Sequence, residues 1–148
     1  GARLGLLDQP VETGLVIGSP NHPDEDDGEI EVDAGASIPS IPRHNLKTRL
    51  GTTIGRAAVA GTVLRTSSQY FRGDEANLLS PLDGYTVVNL NGSYRLHPRV
   101  HVVAQVTNLF DTRFATFGVL GEADDVLGDD FENPRFVSPG MPRAAWFG

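Results

Sequence analysis

Val100, Val102, Ala104 and Val106 occupy alternate positions, with His101, Gln105 and Thr107 between them and only Val103 breaking the polarity. A period of two marks a strand with one apolar face. The run ends in Asn108-Leu109-Phe110-Asp111, where Asn and Asp begin a turn. The same alternation recurs upstream. From Thr86 to Leu96, Val88, Leu90, Tyr94 and Leu96 face one way with Gly92 in the row, and Asn89, Asn91, Ser93 and Arg95 face the other. From His44 to Ile54, Leu46, Leu50 and Ile54 share a face with Thr48 and Thr52, opposite Lys47, Arg49, Gly51 and Thr53. Ala57 to Ser68 runs back, but its facing is ambiguous: Val59, Val63 and Arg65 oppose Ala58, Ala60 and Leu64. Arg143 begins a last strand. No long segment repeats apolar residues at helical spacing, and 17 Gly and 10 Pro mark many turns. The chain therefore reads as nearly all-β.

The connections alternate in length. Gly55-Arg56 is a two-residue turn and His97-Pro98-Arg99 a short one. Residues 69–84 and 111–142 are long loops, and residues 1–45 are mostly irregular. Strands joined this way pair antiparallel with sequential neighbours, placing every long loop at one end and every short turn at the other. That is the plan of an up-and-down transmembrane barrel. The eleven residues from Thr86 to Leu96 match the roughly 9–11 that cross a bilayer at a tilt.

Charge sharpens this picture. The net charge is -7, but all 19 acidic residues lie in segments 1–45, 69–84 and 111–142. Segments 46–68, 85–110 and 143–148 contain no Asp or Glu, yet hold seven of the 12 basic residues. A soluble β-sandwich scatters carboxylates over its exposed strand faces. Confining them to loops suits strands whose outer face meets something other than water. An overall hydrophobic content of 39% does not decide the matter, because half of each barrel strand is polar. There is no apolar run long enough for a transmembrane helix and no visible signal peptide.

Candidate chemistry is sparse. Zero cysteines exclude disulfides, zinc–thiolate sites and a thiol nucleophile. His22, His44, His97 and His101 show no metal-binding spacing. Asp24, Asp26 and Gly28 sit in a polar acidic loop, but without the glycine and glutamate spacing of a calcium loop. Ser67, Ser68, Ser80 and Ser138 lack a nucleophile-elbow context, and the carboxylates stand in solvated loops without an apolar shell. The expectation is no enzyme, no cofactor and no metal centre. The acidic balance excludes a nucleic-acid partner. Arg72-Gly73-Asp74 is also an integrin-binding tripeptide, but nothing else supports an adhesion role. Lys47, Arg49 and Arg95 lie opposite the apolar faces, and Tyr94, Phe110, Phe114, Phe117, Trp146 and Phe147 are candidates for an interfacial aromatic girdle.

A strand ending in Asn108-Leu109-Phe110-Asp111 near the C-terminus resembles the penultimate barrel strand of TonB-dependent outer-membrane receptors. Ile41-Pro42-Arg43-His44-Asn45-Leu46-Lys47, Ser67 through Asn77, Gly84 through Leu90, and Pro139 through Trp146 are similar, in the same order, to further segments of that family. The resemblance covers roughly residues 15–148. It implies the C-terminal part of a barrel of about 22 strands in the bacterial outer membrane. On that basis residues 1–148 form an open curved sheet with disordered loops, and the plug domain and N-terminal barrel strands lie outside the chain. The last strand, at six residues from Arg143, is expected to be roughly three to five residues short of a crossing.

The family imports iron–siderophore complexes, cobalamin and some sugars with energy relayed by TonB. The implied partners are outer-membrane lipid, the receptor's own plug domain, TonB, and a substrate such as a ferric siderophore. Arg72 and Arg113, cations within acidic loops, are the expected ligand-binding residues, since each suits an anionic chelate. The alternative is a soluble β-sandwich ligand-binding module. The two differ in a simple measurement. A partial barrel has unpaired outer strands and a bare apolar face, so the 148-residue chain should not melt as a cooperative monomer in plain buffer. Sharp two-state melting by circular dichroism would favour the sandwich.

Overall fold

The computed structural model describes residues 15–121 and 133–148. Nine strands lie among them: β1 (Leu15–Gly18), β2 (Glu29–Val32), β3 (Asn45–Ile54), β4 (Ala57–Thr66), β5 (Tyr85–His97), β6 (Val100–Thr107), β7 (Ala115–Leu120), β8 (Arg135–Pro139) and β9 (Ala144–Phe147). One five-stranded antiparallel sheet runs β3-β4-β5-β6-β9, and β1-β2 and β7-β8 form separate hairpins. The main sheet is the predicted up-and-down meander. No second sheet packs across it among the described residues, so this is a partial barrel and not a sandwich.

Register settles which side chains share a face. Leu50 pairs with Gly61, Gly61 with Leu90 and Leu90 with Val106; Val63 pairs with Val88, and Tyr94 with both Ala57 and Val102. Val59, Val63 and Arg65 of β4 therefore join the apolar row, which resolves the strand whose own pattern was ambiguous. Most large side chains in that row stand bare, with Leu50 76% exposed, Ile54 74% and Leu90 37%, while Val88 and Val106 are half-buried. The opposite face carries Lys47, Arg49, Asn89, Asn91, Gln105 and, buried, Thr62 and Thr66. The hydrogen-bond pattern assigns the Asn91 amide so that it donates to the Ala60 carbonyl and accepts from Arg49 Nη2, each at 3.2 Å. A folded chain with apolar side chains outward and hydrogen-bonded polar ones inward is inverted relative to a water-soluble protein.

The short turns follow from local chemistry. Ile54 pairs with Ala57, leaving Gly55-Arg56 as a two-residue loop with Gly55 at φ 60°. A first turn residue at positive φ matches the right-handed strand twist. Between β5 and β6 the register shifts at Leu96, so that His97 pairs with Val100 across Pro98-Arg99. This bulge adds one residue to β5 and takes the strand to 13 residues.

Several expectations need correction. Residues 15–45 are mostly irregular, as expected, but they carry one short hairpin in which β1 pairs with β2. Within its connecting loop Asp27-Gly28 makes a tight turn, both residues at positive φ (53° and 79°). Asp26 and Glu29 exchange two backbone hydrogen bonds across it. Asp-Gly in this geometry is a strong hairpin signal, hidden here within an acidic run. Segment 111–142 also folds, because β7 and β8 pair; Asp124, Asp125, Asp129 and Asp130 lie outside the described residues. Trp146 pairs with Gln105 and so faces inward, while Phe147 pairs with Ala104, faces outward and is 89% exposed. Of the proposed aromatic girdle, Tyr94 and Phe147 keep an outward position; Trp146 and Phe114 do not.

The facing is testable in lipid vesicles. Leu90→Arg, with its cation in hydrocarbon, should cost roughly 2–4 kcal/mol if near the midplane, and Asn91→Arg far less. Denaturant titration in lipid vesicles measures both; equal costs would contradict the assignment.

Candidate functional site

The long connections meet at one end of the sheet, where Asp74 joins the β1–β2 hairpin to loop 69–84. Its carboxylate is completely buried. Oδ1 accepts from His22 Nε2 at 3.2 Å and from the Leu78 N–H at 2.9 Å, and Oδ2 accepts from the Leu79 N–H at 3.2 Å. His22 Nδ1 accepts from the Asp24 N–H at 3.0 Å, which assigns the ring proton to Nε2, facing Asp74. A buried carboxylate is tolerated only with donors of this kind around it. His22 comes from the β1–β2 hairpin, 52 residues away in sequence. Beside it, Ser19 Oγ donates to the Gly73 carbonyl at 2.6 Å. Because Asp74 is inaccessible, Arg72-Gly73-Asp74 is not displayed as an adhesion motif.

Neighbouring residues extend the clamp. Asn77, at φ 59°, uses its side-chain amide as a backbone surrogate: Oδ1 accepts from the Ser37 N–H at 2.5 Å and Nδ2 donates to the Ser37 carbonyl at 3.0 Å. On the other flank the Arg72 N–H donates to the Gly118 carbonyl, and the Leu120 N–H donates to the Arg72 carbonyl, both at 2.9 Å. Loop 69–84 thus adds to the edge of β7. Gly118 permits that approach, since a Cβ there would lie 2.6 Å from the buried Phe71 ring. Arg135 covers the same ring, 5.7 Å from its centroid. Residues 69–84 and the described parts of the segments they meet therefore interlock as a cap.

The corner after β6 is a second hub. Asn108, buried and at φ 49°, accepts from the Thr112 N–H and donates to the carbonyls of Thr112 and Met141. Asp111 Oδ1 accepts from the Arg143 N–H at 2.9 Å. The Asn and Asp of the turn thus tie the start of β9 to the end of β6. Phe114, Thr116 and Met141 then lie over the polar face of the sheet. Phe114 lies against Tyr85 with ring centroids 4.3 Å apart. Beneath it is a largely apolar cleft of about 270 Å³ between Leu64, Val87, Asn89 and Met141. A loop that folds onto the polar face identifies that face as the lumen side.

Arg72 borders a cleft of about 190 Å³ with Ser19, Asn21 and Glu75, and its side chain is exposed. Arg113 is also exposed, two residues before β7. The two cations flank the same hairpin, one docked on β7 through its backbone and one leading into it. Neither lies within ion-pairing distance of a carboxylate among the described residues. No group of three or more His, Asp or Glu converges to hold a metal among the described residues. His22, Asp74 and Asn77 escaped the sequence reasoning. Nothing in a linear sequence pairs a loop histidine with an aspartate 52 residues on.

An inverted sheet, a lumen-facing loop and a cap at one end define a transmembrane β-barrel of the outer-membrane type. The family model "TonB dependent receptor-like, beta-barrel" matches residues 16–109, more than half of the chain. The chain belongs to that family of the bacterial outer membrane. Among solved structures, one described as the copper transporter OprC is similar in fold, with a TM-score of 0.54 and 24% identity over 76% of this chain. The chain spans 17% of that structure's length. No curated protein matches it.

Asp74→Ala leaves the His22 Nε2–H and two buried backbone N–H groups without an acceptor. Each is worth about 1–3 kcal/mol if it stays dry. The cap should loosen while the ladder holds. Hydrogen exchange should rise sharply in residues 15–40 and 69–84 and stay unchanged in β4 and β5. Unchanged protection in the loops would show that Asp74 does not hold them.

Proposed function

We propose that residues 1–148 are the C-terminal part of the barrel of a TonB-dependent importer that takes up a scarce nutrient as an anionic chelate, an iron–siderophore complex. The observation that carries this reading is the cap itself. Three long segments interlock at one end of the sheet and present Arg72 and Arg113 at their surface. Long loops face the exterior in outer-membrane barrels, so the cap stands where a ligand arrives. A guanidinium binds a carboxylate or a similar oxyanion through paired N–H donors. Two such cations can pair with the oxyanions of an anionic complex. That favours a chelate over the free ion, although the OprC structure is described as a copper transporter. In this reading the plug domain, the earlier strands and the segment that meets TonB belong to parts of the receptor beyond these residues. The chain's own role is binding and passage, with no covalent chemistry.

Uptake of radiolabelled ferric siderophore by cells carrying the full-length receptor tests this. Arg72→Ala with Arg113→Ala should reduce uptake at limiting substrate by about tenfold or more, the effect of losing roughly 1.5–3 kcal/mol from a charged contact. Deleting residues 69–84 and 111–142 should abolish it. Uptake indifferent to both changes would end the proposal, and copper uptake in place of iron would replace the chelate with a metal ion.

A further inference from the structure

One cation stands in the apolar row of the sheet. Arg65 pairs with Leu46 on β3 and with Thr86 on β5, and alternation along β4 and β5 puts it on the face of Val59, Val63, Val88 and Leu90. Its side chain is exposed, and Nη1 donates to Thr86 Oγ1 at 2.9 Å, so the guanidinium lies across the outward face toward β5. Leu46, on its other side, is 58% exposed. Thr86 takes one N–H of the guanidinium, and no other described residue accepts from it. No carboxylate among the described residues lies within ion-pairing distance of Arg65. Residues 46–68 and 85–110 contain no Asp or Glu at all. The cation therefore faces the membrane with most of its donors free.

Depth decides what those donors meet. An arginine on the lipid face is costly at the midplane, and the cost fades toward the interfaces. β4 is a 10-residue strand, about the length that crosses a bilayer at a tilt. Tyr94, outward and 47% exposed, pairs with Ala57 at the start of β4 and marks the interface at the short-turn end. Arg65 is the last residue but one of β4, next to loop 69–84, so it stands at the opposite interface. Long loops face the exterior in this kind of barrel, which makes that interface the outer leaflet. We propose that Arg65 binds a phosphate group of a phosphorylated lipid in the outer leaflet. Thr86 holds the guanidinium on the outer wall, its remaining N–H groups bind the phosphate oxygens, and Leu46 and Val63 meet the acyl chains below. This rests on the barrel family and on the facing of β4, not on the identity of the cargo, so it survives if the siderophore reading fails.

A photo-cross-linking residue in place of Leu46 samples the space beside Arg65. The receptor that carries it is placed in phosphatidylcholine nanodiscs with lipid A, or with lipid A stripped of its phosphates, and the cross-linked lipid is measured by mass spectrometry. The phosphorylated form should cross-link about fivefold more, the effect of one basic residue on an anionic lipid. Arg65→Gln should bring the two yields together, and Arg65→Lys should keep most of the difference, since the charge remains. Inorganic phosphate should compete only weakly. Equal yields for the two lipids around the wild-type side chain would overturn the proposal without any variant. So would a difference that persists in Arg65→Gln. Cross-links to the receptor's own loops in place of lipid would give Arg65 an internal partner, and full displacement by inorganic phosphate would replace the lipid with a soluble anion; either result overturns the proposal as well.

Discussion

A strand that crosses hydrocarbon has no water to satisfy its peptide groups, so every N–H and C=O must find a partner in the next strand. The rest of this structure follows from that constraint. Antiparallel pairing in the order β3-β4-β5-β6-β9 satisfies the ladder. Pleating then sends alternate side chains to opposite faces. One face must be apolar because it meets lipid, and the other is free to carry Lys47, Arg49, Asn89 and Gln105. Carboxylates, which are expensive in either setting without partners, collect in the loops.

The same demand reappears at the cap in another form. Irregular loops have no ladder, so buried side chains replace it. Asp74 accepts the N–H groups of Leu78 and Leu79, Asn77 pairs with both polar groups of Ser37, and Asn108 does the same for Thr112. Short polar side chains at positive φ supply a turn and its hydrogen bonds at once. A cap built this way is specific in shape. It sets Arg72 against β7 and brings Phe114 and Met141 onto the lumen face, joining the site to the scaffold.

Strands and their pairing were legible because alternation is a local signal. Thr86 to Leu96 and Val100 to Val106 could be faced from side chains alone. Ala57 to Ser68 could not, since Ala, Gly and Thr fit either face; only pairing with Leu50 and Leu90 decides it. Trp146 was misjudged because a strand of four residues has too little pattern to show its phase. The β7–β8 hairpin was lost for a different reason: its strands are short and stand 14 residues apart, so no turn signal joins them. The cap was least legible. Arg72 and Arg113 were visible as cations among acids, whereas the His22–Asp74 contact exists only once the chain has folded.

The two faces of one sheet meet lipid and lumen, and residues 1–148 hold no cysteine to compete with an introduced label, which allows a direct measurement. Single cysteines placed in turn from Val87 to Tyr94 in the full-length receptor can each carry a nitroxide. Collision with lipid-soluble oxygen and with a water-soluble nickel chelate is then measured in vesicles. Oxygen accessibility should peak at Val88, Leu90 and Tyr94, and nickel accessibility at Asn89, Asn91 and Ser93, the two profiles alternating out of phase with a period of two. Profiles that rise and fall together, or that show no such period, would contradict the account.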